Sequence, residues 1–128
     1  MGGAIHRPER AVLVVDDDPG VRGFVAMVLR AEGYRVLTAA DGVEALEWIA
    51  RQRPDLVLLD LAMPVMDGWQ VLHTLRERRV NVPLVFMSAG YNARVEAERH
   101  GADGYLGKPF TRAELLAVVA RFVSAVPS

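Results

Sequence analysis

Short runs of apolar residues alternate along the chain with segments whose apolar positions recur at helical spacing. Val12–Val15 is a continuous apolar run ending in Asp16-Asp17-Asp18-Pro19. Asp18 is placed as an N-cap, with Pro19 at the first helical position. Val21, Phe24, Val25, Val28 and Leu29 then supply one helical face up to Gly33. Val36–Ala39 predicts a second strand, and Asp41 with Glu44 predicts a capping box at the start of a helix whose inner face is Ala45, Leu46 and Ile49. Leu56–Leu59 is a third apolar run ending at Asp60. Asp67-Gly68 opens a third helix carrying Val71, Leu72 and Leu75.

Pro83 introduces a fourth run, Leu84–Met87, which ends in Ser88-Ala89-Gly90. Asn92–His100 predicts a short helix with a weak apolar face, stopped by Gly101. Tyr105-Leu106 is a brief fifth strand before Lys108-Pro109. Thr111 and Glu114 form a second capping-box pattern, with Phe110 and Leu115 spaced as a hydrophobic staple. The last helix has Leu115, Val119, Phe122 and Val126 as its core stripe. Val118 and Val123 widen it, which fits either a well-buried helix or a dimer or partner surface. Strands that are apolar throughout belong to a sheet buried on both faces, so the pattern predicts an α/β doubly wound parallel sheet. Ligands in such sheets bind at the carboxyl ends of the strands. Those ends carry Asp16, Asp17, Asp60, Ser88 and Lys108.

Length and composition narrow the chemistry. The 128 residues predict one domain, spanning 11–126, with a lead at 1–10 and a tail at 127–128. Cysteine is absent, which excludes disulfides, thiolate metal sites and cysteine nucleophiles. A formal net charge of −1 makes neither nucleic acid nor an anionic membrane the expected partner. No apolar run is long enough to span a bilayer, and residues 1–10 lack a leader-type apolar segment. A soluble, cytoplasmic location is therefore expected.

An aspartate at a strand-to-helix junction is first of all an N-cap. Asp18, Asp41 and Asp67 serve that need, and Asp55 and Asp103 sit in turns flanked by Pro or Gly. Asp16, Asp17 and Asp60 are left over. If strands one and three are neighbours, these three carboxylates converge. Mutual repulsion then favours protonation or a bound cation. Oxygen-only ligands suit a hard divalent ion, Mg²⁺ first and Mn²⁺ next. Such an ion keeps waters that phosphate oxygens can replace, which points to phosphoryl chemistry more than to structural calcium.

Of the 15 basic residues, all but Lys108 are arginine. Lysine is a compact point charge suited to a single phosphate oxygen, although a solvated surface lysine is the common case. Ser88 reads either as a helix cap or as a hydroxyl donating to a phosphoryl oxygen. Ala89 and Gly90 leave space beside it.

At this point the residues resemble a known family. Val12-Leu13-Val14-Val15-Asp16-Asp17-Asp18, Leu56 through Gly68 with its Asp60 and Met63-Pro64, Ser88-Ala89, and Lys108-Pro109-Phe110 are similar to the receiver domains of two-component response regulators. The resemblance implies a flavodoxin-like five-stranded sheet in the order 2-1-3-4-5 with five helices. It implies Asp60 as phosphoacceptor, Asp17 as a direct Mg²⁺ ligand, Asp16 assisting through water, and the Ala62 backbone carbonyl as a further ligand. Ser88 and Lys108 would contact the phosphoryl group beside Ala89. Tyr105 aligns with the aromatic switch residue, and the Lys108-Pro109 bond would be cis. The partner upstream would be a sensor histidine kinase or a phosphotransfer protein, in a self-catalysed transfer followed by autodephosphorylation. The signal would leave through the fourth helix, fifth strand and fifth helix to a downstream protein, or through a phosphorylation-dependent homodimer. Serine at 88 instead of the commoner threonine keeps the hydroxyl but loses β-branch stiffness.

Two other function classes fit part of the pattern. A Mg²⁺-dependent aspartyl-nucleophile phosphatase would share Asp, Mg²⁺ and Lys, but would carry an acid/base aspartate two residues after the nucleophile, where this chain has Ala62. A non-phosphorylated interaction module is the other. His6, His73 and His100 have no partner at metal or triad spacing. Trp48 and Trp69 read as packing residues, and Gly101, Gly104 and Gly107 as turn glycines.

Overall fold

Each apolar run forms a strand and each helical pattern a helix in the computed structural model, which describes residues 10–90 and 92–123. In chain order the elements are β1 (Ala11–Val15), α1 (Pro19–Ala31), β2 (Arg35–Ala39), α2 (Gly42–Arg51), β3 (Leu56–Asp60), α3 (Gly68–Glu77), β4 (Leu84–Ser88), α4 (Ala93–Arg99), β5 (Gly104–Gly107) and α5 (Arg112–Phe122). The strands form one parallel sheet in the order β2-β1-β3-β4-β5. Val126, the lead up to residue 9 and the tail lie outside the described residues.

Every residue of β1 and β3 is buried, because both faces of the sheet are covered. Leu13, Val15, Val57 and Leu59 point to the layer of α2, α3 and α4, where they meet Leu46, Ile49, Val71, Leu72 and Ala97. Val12, Val14, Leu56 and Leu58 point to the layer of α1 and α5, against Val25, Leu29, Leu115 and Val119. Each of these side chains contributes roughly 1.5–3 kcal/mol by leaving water.

The starts of α1, α3 and α5 follow the local chemistry. Asp18 accepts hydrogen bonds from the Gly20 and Val21 amides. Asp67 with Gln70, and Thr111 with Glu114, close reciprocal capping boxes. At α2, Asp41 accepts from the Glu44 amide, but the Glu44 carboxylate reaches past the cap to the Ala40 amide. The expected box is thus opened by one residue, and the amides it satisfies are those of Ala40 and Glu44.

Three other expectations are corrected. Phe24 is not a core residue: it is 40% exposed, and Ala26 takes its place in the buried face of α1. Gly104 and Gly107 are the ends of β5 and not turn residues, whereas Gly101 does turn the chain, at φ 83°. Phe122 is only half-buried against the α1/α5 layer.

Candidate functional site

The parallel register of β1 and β3 builds the centre of the site. Val15 lies opposite Leu59, so the next residues, Asp16 and Asp60, emerge side by side at the carboxyl edge. Asp16 is completely buried. Its amide donates to the Ala39 carbonyl at 3.2 Å, and its own carbonyl accepts from the Arg22 guanidinium at 2.6 Å. Its carboxylate accepts from the Asp18 amide at 2.9 Å and from Lys108 Nζ at 2.7 Å. Asp16 is therefore a fixed negative charge, held at each polar atom.

Asp60 is 6% exposed and ends β3. Lys108 Nζ lies 3.5 Å from its Oδ1. Burial first, and then the charge of Asp16, push the Asp60 carboxyl up to about 6; Lys108 and a backbone hydrogen bond from Ala62 offset this only in part. Burial acts to lower Lys108, but its hydrogen bond to Asp16 and the charges of Asp16 and Asp60 outweigh that and hold the ammonium above the usual lysine value. Asp17 stands exposed at the mouth.

Ser88 ends β4 and is not the cap of α4, whose first turn follows Asn92 without a side-chain cap. The Ser88 hydroxyl accepts from the Gly90 amide at 3.2 Å. Its carbonyl accepts twice, from the Tyr105 hydroxyl at 2.8 Å and from the Lys108 amide at 2.9 Å. Tyr105 thus links β5 to the end of β4. The Lys108-Pro109 peptide is cis. Ala89, Lys108, Pro109 and Phe110 line an apolar groove with Gly20, Val21 and Phe24 of α1, which is where the exposed phenylalanine finds its neighbours.

The donor set fits a hard divalent cation. Asp16, Asp17 and Asp60 each offer a carboxylate oxygen within 4.8 Å of the others, the only such group of three among the described residues. Burial and the Asp16 charge raise the Asp60 carboxyl despite Lys108, so a cation at the cluster would favour its ionised form.

A family profile described as the response regulator receiver domain matches residues 12–120. The chain belongs to that family. This receiver domain is 46% identical over 110 residues to the transcriptional regulatory protein PrrA of Mycobacterium tuberculosis, covering 84% of this chain and 47% of PrrA. It is 45% identical over 108 residues to the response regulator MprA of Mycobacterium leprae, covering 83% of this chain and 47% of MprA. The chain therefore spans about half the length of these curated relatives. Among solved structures, the chemotaxis protein CheY4 of Vibrio cholerae superposes with a TM-score of 0.82 at 34% identity, covering 90% of this chain and 99% of CheY4. The receiver domain of NtrX from Brucella abortus gives 0.80 at 35% identity, covering 86% and 95%. Among the described residues, no helix is long and apolar enough to cross a membrane.

Several contacts escape sequence reasoning. Arg22 reaches the Asp16 carbonyl from the second turn of α1, and Trp48 donates its indole N–H to the Thr38 carbonyl at 3.0 Å. Gly68 has no room for a side chain: a Cβ there would meet the Asp60 carbonyl oxygen at 2.8 Å and the Phe86 ring at 2.9 Å. Its place beside Asp67 signals a helix start, but not this approach. His73 of α3 and His100, just after α4, have ring centroids 5.4 Å apart, a contact that their spacing in sequence does not signal, and His6 lies outside the described residues.

Proposed function

We propose that this receiver domain is a phosphorylation-controlled switch with the Asp60 carboxylate as phosphoacceptor. The observation that carries the reading is the placing of a nearly buried carboxylate 3.5 Å from the Lys108 ammonium, beside a fixed Asp16 and an exposed Asp17. Asp17 directly, Asp16 through water, and Asp60 with the Ala62 carbonyl would hold Mg²⁺, or Mn²⁺ in its place. That ion supplies neutralisation of charge on the transferring phosphoryl group.

The donor is a phosphohistidine of a sensor kinase or phosphotransfer protein. Asp60 Oδ forms the new O–P bond in line as the donor's P–N bond breaks, and the electron pair leaves with the imidazole. Lys108 is already within reach of an equatorial phosphoryl oxygen and counters its charge. The acyl phosphate brings about −1.5 to −2 charge to a position that held one carboxylate. The Ser88 hydroxyl exchanges the Gly90 amide for a phosphoryl oxygen beside Ala89. Tyr105, bonded to the Ser88 carbonyl, moves with that strand end. α4 has seven residues, lacks a side-chain cap and buries only Ala93 and Ala97, so little energy opposes its displacement. The change reaches a downstream protein, or a second copy, through α4, β5 and α5.

Intact mass after incubation with Mg²⁺ and a small acyl phosphate tests this. One added phosphoryl group in the wild type and none in Asp60→Asn is the expected result. Repeated turnover of a generic phosphate ester by the wild type would replace the switch reading with a phosphatase. No mass change at all would leave only an interaction module.

A further inference from the structure

We infer that the α3/α4 junction carries a second metal site, for a borderline transition ion such as Zn²⁺, built from His73, Glu96 and His100. Glu96 and His100 are four residues apart, on one face of the α4 turn. His100 Nε2 lies 3.6 Å from Glu96 Oε2. Two ligand atoms on one tetrahedral zinc, each about 2.0–2.2 Å from it, stand roughly 3.3 Å apart, so this pair needs only a small adjustment. The His73 ring is 5.4 Å from His100, centroid to centroid, and comes from the other helix.

All three side chains reach solvent: Glu96 and His100 are about one-third exposed, and His73 is exposed. An ion can therefore enter without opening the core. Only Asp16, Asp17 and Asp60 already hold three ligand atoms within 4.8 Å among the described residues. The third ligand is completed by turning the His73 ring, which its exposure permits. Trp69 lies against His100 at 4.4 Å between centroids with a tilt of 36°, restraining that imidazole. Such outer contacts orient a ligand and sharpen its affinity. Arg99, 3.4 Å from Glu96 Oε1, is the competing cation, and it is exposed and free to leave.

Two imidazoles and a carboxylate are a borderline donor set, distinct from the all-oxygen cluster around Asp60, so the two sites sort ions by ligand chemistry. The consequence is mechanical. A bound ion ties the short α4 to α3, and so restrains the element that the proposed switch has to move.

The test uses untagged protein carrying His6→Ala, so that the only histidines are the two in question. Zn²⁺ titration by calorimetry in excess Mg²⁺ should give one site with micromolar or tighter affinity. Affinity should fall at least about tenfold in both His100→Ala and His73→Ala and persist in Asp17→Ala. Cu²⁺ electron paramagnetic resonance should show coupling to two nitrogens, reduced to one in His73→Ala. Far-ultraviolet circular dichroism verifies that each variant is folded. Loss of Zn²⁺ binding in Asp17→Ala, or unchanged affinity in His73→Ala, would overturn the site. Neither readout depends on phosphorylation, so failure here leaves the Asp60 reading untouched.

Discussion

Lys108 Nζ is 2.7 Å from the buried Asp16 carboxylate and donates a hydrogen bond to it across a sequence separation of 92 residues. The strongest cation–anion contact of the site is thus not with the proposed phosphoacceptor. Asp16 anchors the ammonium, while Asp60, 3.5 Å away, shares it loosely. A charge held in this way is ready to engage a new phosphoryl oxygen without leaving Asp16.

Removing the ammonium leaves two carboxylates facing each other in a site nearly closed to water. Lys108→Met should cost about 2–3 kcal/mol of stability at neutral pH in the absence of metal, toward the low end for a broken buried pair because the lysine side chain is 21% exposed. Urea denaturation measures it, and saturating Mg²⁺ should recover part of the loss. A variant as stable as the wild type would mean that the ammonium does not hold the two carboxylates together.

Asp60 should make the metal-free fold less stable as pH rises. Its carboxyl stands at about 6 in the folded protein against the usual 3.8 of an aspartyl side chain. The folded state therefore binds the proton more tightly than the unfolded state, and stability falls as pH climbs from about 4 through 6. Asp60→Asn, which keeps the shape without the charge, should gain about 1–3 kcal/mol at pH 8 and nothing at pH 4. Chemical denaturation of both proteins across that range provides the comparison, and an equal gain at both pH values would refute the charge explanation.

Mg²⁺ binding to the folded state alone should raise the melting temperature, adding about 2.7 kcal/mol at a hundredfold excess over its Kd. Thermal scans of Asp17→Ala should lose most of the response. An undiminished response would remove Asp17 from the ligand set.

Two glycines should respond oppositely to alanine. A Cβ on Gly68 would press on the Asp60 carbonyl at 2.8 Å and on Leu61 Cα at 3.0 Å, both backbone atoms unable to swing aside. Gly68→Ala should cost about 2 kcal/mol and slow phosphorylation by displacing the end of β3. Gly23, inside α1 with nothing within 4 Å, should gain about 0.5–1 kcal/mol as Gly23→Ala. Equilibrium unfolding of the pair separates crowding from helix propensity.

Val65 occupies φ 69° in the loop after β3, a left-handed conformation hard for a β-branched residue, and it is 87% exposed. No packing offsets the strain. Val65→Asn should raise stability by about 1 kcal/mol, read from the denaturation midpoint. A loss would show that the exposed valine makes a contact the loop needs.

The order and type of the elements were legible in the chain because each depends on neighbours in sequence. Uninterrupted apolar runs such as Val12–Val15 belong only in a doubly covered sheet. Asp18-Pro19 and Thr111 with Glu114 act within one helical turn. The excess of aspartates over caps pointed to Asp16, Asp17 and Asp60. Other relationships needed the folded chain, since distance in space, not spacing in sequence, controls them. These include the anchoring of Lys108 on Asp16, the raised carboxyl of Asp60, the Arg22 contact, the crowding at Gly68, and the meeting of His73 with His100. Hydrophobic periodicity selects a layer for each element, but the parallel register and the packing of helices over it set which charges come within a few ångströms. Coulomb energy, desolvation and steric contact all depend steeply on that last separation.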